Sequence, residues 1–237
     1  MPSWHAKSSG WGYAKESQEA IDNATLIAAI LQSYGWCLEA ICAALGNMAK
    51  EGGYNPWQWQ GDYTPTYAQY LDYIAQGTPA HAYGLCQWDP ASKYINGGVD
   101  LPGYDPNFSD QPGTPSDGAA QTHYLARTIQ SDWLGGYFSY YDATFSALTP
   151  PVDISAFYGM TFADFLNDST PYNYEDRVGA FELKFERPGA FDAANSYADR
   201  CDNCLYWLVY FGQHPIKQSS IWLYKYYLNH KRRRCGR

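Results

Sequence analysis

The polar opening "MPSWHAKSSGWGYAKESQEA" gives way near Asn23 to apolar positions at helical spacing. Leu26, Ile27, Ile30, Leu31 and Tyr34 recur at three- and four-residue intervals, which predicts a helix started by Asp22 or Asn23. Gly35 interrupts it. A second helix is predicted over 38–50, with Leu38, Ile41, Cys42, Leu45 and Met48 on one face and Gly52–Gly53 ending it in the left-handed conformation that glycine adopts without strain. Glu51 then falls in the last turn, one turn from Asn47 and Met48.

Further along, helices are predicted over 67–74 and 119–133, after a Thr-x-x-Asp start in "TFAD" at 161–164, through "YEDRVGAFELKFERP" as far as Pro188, and along "FDAANSYADRCDNCLYWLVYF". Residues 96–118 are turn chemistry throughout and predict a long irregular loop. Strand patterning amounts to at most a short hairpin after Glu51. The fold class is therefore mainly α: a loosely packed arm over 1–22, one helical domain over 23–212 and an extension over 213–237.

Composition adds a surface to this outline. Aromatic residues make up 18% of the 237, more hydroxyl-bearing rings than a core readily absorbs, so some are expected to line a groove. Such faces suit sugar rings or nucleic-acid bases. The formal net charge of −8 argues against bases, because a polyanion would meet a repulsive field. The charge is uneven, however. Residues 217–237 hold seven Lys/Arg and no acid, which reads as a solvated basic tail or as a tether to an anionic polymer such as a bacterial wall. No apolar segment resembles a signal peptide or a membrane span, so synthesis in a host cytoplasm without a signal peptide is expected, and membrane insertion is not.

The six cysteines do not form a disulfide framework for a chain of this length. Cys201 and Cys204 in "CDNC" have one metal-like spacing, but the later His214, His230 and Cys235 match no known zinc arrangement, and thiols on a helix face are the simpler reading. No metal or other cofactor is expected. A thiol protease using Cys86 with His81 or His123 lacks an identifiable orienting partner.

Glu51 is the residue whose surroundings suggest chemistry. Apolar surroundings that keep a carboxyl protonated make it able to protonate a leaving oxygen. Glu51 ends a helix, where the dipole disfavours a further negative charge, and is followed by two glycines open to close approach and then by Tyr54, Trp57 and Trp59.

The blocks "NATLIAAILQSYGWCLEAICAALGNMAKEGGYNPWQWQ", "AYGLCQWDPASKY", "DGAAQTHYLARTI" and "TFADFLN…EDRVGAFELKFERPG" occur in this order and resemble the phage tail lysozyme family, within the lysozyme-like and lytic transglycosylase group. The resemblance implies a lysozyme-like helical domain and cleavage of the β-1,4 bond between N-acetylmuramic acid and N-acetylglucosamine in peptidoglycan. It places the catalytic glutamate at Glu51, the family's Asn-Pro at Asn55 and Pro56, and its Gly-Leu-x-Gln-Trp at 84–88. Gln87 is then the candidate for hydrogen-bonding an N-acetyl group, and Tyr83, Trp57, Trp59 and Trp88 are candidate stacking surfaces. Asn55 joins them as a candidate substrate-binding residue.

A second carboxylate is open among Asp62, Asp89, Asp72 and Asp117, with Asp62 and Asp89 nearest the shared motifs. Glu186 of "FERP" reads as a structural partner of an arginine. Gly52 departs from the family's usual serine. The implied partners are peptidoglycan glycan strands and phage virion proteins, and the implied place of action is the cell wall, after lysis or from a virion. A non-catalytic glycan-binding or structural module with a degenerate lysozyme fold is the alternative.

Overall fold

The computed structural model describes residues 2–7, 11–60, 81–98, 100–101, 117–134 and 139–216. The expected helix over 67–74, Asp62, Asp72, most of the 96–118 loop and the basic segment 217–237 lie outside the described residues. What is described is mainly helical. In chain order the helices are α1 (Gln18–Ser33), α2 (Leu38–Glu51), α3 (Ser92–Gly97), α4 (Gly118–Asp132), α5 (Asp142–Ser146), α6 (Ser155–Gly159), α7 (Phe162–Leu166), α8 (Tyr174–Phe181) and α9 (Ala190–Gln213), with a π-helical turn at Glu182–Glu186 running on from α8. Of the anticipated hairpin, the described residues contain two isolated antiparallel bridges, Trp59 with Tyr83 and Tyr83 with Trp88.

Helix α2 is the central strut. Every residue from Ala40 to Met48 is buried, including the polar Asn47, so the single apolar face expected from periodicity widens into a helix enclosed all round, while Leu38 at its start is exposed. It packs most extensively on α9 and next on α8, and α1 packs on α4 and α2. Gly46 sets the α2–α9 approach. A Cβ there would stand 2.5 Å from the Arg200 carbonyl oxygen and 3.0 Å from the Cys204 backbone nitrogen. Cys201 and Cys204 are both buried in the α9 interior, so the "CDNC" spacing is the spacing of a core-facing helix stripe.

Local signals act as helix starts in several places. Thr161 and Asp164 form a reciprocal capping box at α7, and Asn173 and Asp176 form another at α8. At α1 the start is earlier than expected: Ser17 is the N-cap, accepting from the Ala20 N–H at 3.1 Å. Asp22 and Asn23 lie inside the helix and hold the N-terminal arm instead. Asp22 pairs with His5 at 3.1 Å, and the buried Asn23 amide bonds the His5 backbone on both sides and donates to the Tyr54 carbonyl at 2.9 Å. The arm expected to be loosely packed is thus pinned, because its backbone groups find side-chain partners on α1.

Candidate active site

Glu51 is the last residue of α2, with its side chain 19% exposed. Its Oε1 accepts from Arg200 Nη2 at 2.7 Å, across the α2–α9 contact. Arg200 is itself 4% exposed and spends its other donors nearby. Nε reaches Glu182 Oε1 at 2.9 Å, with Ser196 Oγ at 3.0 Å, and Nη1 reaches Asn47 Oδ1 at 2.8 Å. Asn47 is in turn oriented by donating to the Ala43 and Val178 carbonyls at 2.9 and 3.3 Å. One guanidinium therefore joins the end of α2, the π-helical turn and the middle of α9.

The π-helical turn places Glu182 and Glu186 beside this guanidinium, and the turn stops at Arg187 in the left-handed conformation with φ 57°. Glu182 is fully buried, and its Oε2 has no hydrogen-bond partner among the described residues. Burial pushes its carboxyl up to about 7, against the opposing pull of Arg200 and Ser196 and with the Glu51 charge adding to the rise. Glu186 is raised well above the ordinary carboxylate value, by burial first and then by the charge of Glu51. At Arg200 burial works against the charge, but Glu182 and Glu51 outweigh it and raise its pKa. The expected arginine partner of Glu186 is not found among the described residues: no ion pair includes Glu186, and Arg200 is engaged with Glu51 and Glu182.

The loop after Glu51 folds under a crossing strand of the N-terminal arm. Tyr13 N–H donates to the Gly53 carbonyl at 2.7 Å. A Cβ at Gly12 would lie 2.0 Å from the Gly52 carbonyl oxygen, and one at Gly52 would lie 2.9 Å from Gln58 Cβ. The two glycines after Glu51 therefore make room for this chain's own backbone and for Gln58, a correction to the expectation that they open the site to a ligand. Gly52 caps α2 in an extended conformation, φ −164°, and the left-handed residues are Gly53 and Tyr54 with φ 51° and 61°.

The remaining candidates are distributed unevenly. Trp57, Trp59, Trp88 and Tyr83 are all buried, and they pack on one another and on Tyr94, with Trp59 and Tyr83 centroids 4.5 Å apart and Trp88 stacked on Tyr94 at 5.2 Å. They frame the loop from within. Asn55 is 1% exposed and ties the arm to it, donating to the Lys7 carbonyl at 2.9 Å. Gln87 is partly exposed at φ 42°, and its Nε2 donates to the Gln58 and Gly84 carbonyls, both at 3.0 Å. Asp89 is exposed at the far side of Trp88 in the chain. Asp117 is buried, accepting from Tyr94 at 2.7 Å, Gln121 at 2.7 Å and Tyr83 at 3.3 Å.

Two residues outside the sequence-based set organise the site. Gln121 on α4 staples both loop segments, accepting from Leu85 N–H and donating to the Pro56 carbonyl, each at 2.8 Å. Arg200 has no local sequence signal, being one basic residue in a long helix pattern. No group of three or more His, Cys, Asp or Glu among the described residues is placed to hold a metal ion.

A family model of phage tail lysozyme matches residues 22–211. The chain belongs to the phage tail lysozyme family. This span contains Glu51, Glu182, Glu186 and Arg200, so the whole cluster falls inside the family domain. The chain is also similar to "Morphogenesis protein 1" of Bacillus phage B103, 33% identical over 88 residues that make up 35% of this chain and 21% of that protein. The match thus spans about a fifth of the relative's length. Among the described residues, no helix is long and apolar enough to cross a membrane.

Proposed function

We propose that this phage tail lysozyme domain is a muramidase that cleaves the β-1,4 bond between N-acetylmuramic acid and N-acetylglucosamine, with Glu51 protonating the leaving oxygen. The observation that carries the reading is the position of Glu51: the partly exposed end of a buried helix, at the edge of a cluster of carboxyls whose pKa values are raised. Acid-catalysed glycoside cleavage needs a proton delivered as the C–O bond breaks, and this is where the chain can hold one. The attacking oxygen is either water or the sugar's own 6-hydroxyl; a 1,6-anhydro end on released muropeptides marks the second route. The substrate is the peptidoglycan strand, and the Bacillus phage relative, named for morphogenesis, supports an association with the virion.

A second reading, a glycan-binding or structural module without catalysis, is favoured by two observations. Glu51 is ion-paired with Arg200, and the expected stacking rings are buried rather than displayed. Purified cell wall separates the two. The wild-type chain is expected to release soluble muropeptides and Glu51→Gln to release none while melting at a similar temperature; co-sedimentation with wall without release by the wild type supports the binding module.

A further inference from the structure

In the Glu51–Arg200 pair, Glu51 is a carboxylate, so a proton that it delivers has to be held elsewhere in the cluster. Arg200's bonds go to Glu51, Glu182, Ser196 and Asn47. Glu186 receives none of them. Its Oε1 is buried with no hydrogen-bond partner among the described residues, and the Cys86 thiol from the Gly-Leu-x-Gln-Trp loop lies near enough to act on its charge. Glu186 as a whole is half-buried, but its Oε1 is enclosed, and a carboxylate there would leave an unpaired charge among other carboxyls, an arrangement that favours keeping the proton.

The geometry points to Glu186 as the store of the proton that Glu51 delivers. The groups that act most strongly on Glu186 are Glu51 from α2, Arg200 from α9, Glu182 from its own turn and Cys86 from the loop. Arg200 is the only cation among them, and it is shared by two other carboxylates. Burial and the Glu51 charge both raise the Glu186 carboxyl, while the Arg200 charge and the Cys86 thiol pull it down less strongly. The Cys86 thiol is itself raised well above its usual value by burial and by Glu186 and Glu51, so it stays neutral beside the acid.

The step balances. The Glu186 proton passes to the Glu51 carboxylate, and Glu51 gives it to the glycosidic oxygen as the C–O bond breaks. The attacking hydroxyl forms the new bond at the sugar carbon and releases one proton, which restores the Glu51–Glu186 pair to its starting charge. Glu186 acts on substrate only through Glu51 and is a positioning residue in that sense. This role rests on reading Glu51 as the acid, whereas the proton on Glu186 can be measured without any substrate.

The test is infrared difference spectroscopy of the full chain at about pH 8, where Glu182 with its value near 7 is largely ionised. A protonated-carboxyl C=O band is expected in the wild type, retained in Glu51→Gln and Glu182→Gln and absent in Glu186→Gln. No such band in the wild type, or a band that survives Glu186→Gln, overturns the assignment. If Glu186→Gln does not fold, titration of wild-type protein carrying ¹³C-labelled glutamate carboxyls decides: besides that of Glu182, one resonance must titrate well above the ordinary carboxylate range, and its absence overturns the proposal. On soluble glycan, Glu186→Gln is expected to lower kcat roughly 10²-fold with KM unchanged, and to move the pH optimum down because Glu51 must then take its proton from solvent. An unchanged pH profile overturns the relay. Wild-type activity in Glu51→Gln instead rejects Glu51 as the acid and leaves the spectroscopic result standing.

Discussion

Trp207 donates its indole Nε1–H to the hydroxyl of Tyr54 at 2.7 Å, with the two rings edge to face at 5.4 Å. Tyr54 lies three residues after Glu51 and Trp207 seven after Arg200, so α9 grips the chain on both sides of the candidate acid. Tyr54→Phe keeps the ring contact but leaves a fully buried indole donor without its acceptor. A stability loss of about 1–3 kcal/mol is expected in urea titration. Because the loop after Glu51 loses its anchor, local hydrogen exchange at 52–58 should rise as well.

Arg200→Met strands the buried carboxyls it now serves. The expected loss is about 3–5 kcal/mol, the magnitude associated with removing one partner of a buried ion pair. At about pH 8, above the value near 7 that Glu182 has in the native protein, part of it should return in the double variant Arg200→Met/Glu182→Gln, since one of the stranded charges is then gone. If the double variant is no more stable than the single one, Glu182 is not carrying charge in the native cluster.

The cluster also predicts a signed pH effect. Glu182 is raised to about 7 in the native protein from an ordinary value of 4.5, so the native state keeps a proton that the unfolded chain has lost. Its contribution to stability is present at low pH and disappears as pH rises from about 4.5 through about 7. His123 works in the opposite sense. Burial and Arg127 lower it to about 4, so the unfolded chain gains a proton first and stability falls as pH drops from 6.5. The two windows overlap, and the clean measurement is a difference. The melting temperature of Glu182→Gln relative to wild type should increase with pH between about 4.5 and 7, and a flat difference contradicts the neutral native carboxyl.

Restoring the family's usual serine after the glutamate should not help this chain. A Cβ at residue 52 meets Gln58 Cβ at 2.9 Å and Cγ at 3.1 Å, so Gly52→Ser overpacks the turn. A cost of about 1–3 kcal/mol is expected. In a double-mutant cycle with Gln58→Gly, the combined loss should be smaller than the sum of the two single losses, because the second change removes the atoms that the first one strikes. Additive losses place the strain elsewhere, with Gly12 at the Gly52 carbonyl as the next contact to vary.

Features with a local cause were legible in the sequence. The Thr161/Asp164 capping box, the long α9 and the position of Glu51 at the end of α2 all follow from spacing and end signals confined to a few residues. Features made by distant partners were not. Nothing near His5 says that Asn23 will bond both sides of its backbone, and nothing near Arg200 says that it will meet Glu51. Aromatic content is ambiguous for a related reason. Trp59, Tyr83, Trp88 and Tyr94 suit a sugar-facing wall and an interlocked ring cluster equally well by composition, and only packing decides between them. Glu186 was legible as a motif residue but not as an unpaired one, since pairing depends on which carboxylates reach the arginine first.

The 149-residue separation of Glu51 and Arg200 has a consequence during synthesis. At about 5–20 residues per second, a ribosome needs roughly 7–30 s after making Glu51 before its counterion exists, and longer before α9 can fold. Through that interval the helix that bears Glu51 has neither its main packing neighbour nor its cation. Products truncated before α9 carry Glu51 without the assembly around it, so the order of translation itself postpones completion of the site until nearly the whole domain has been made.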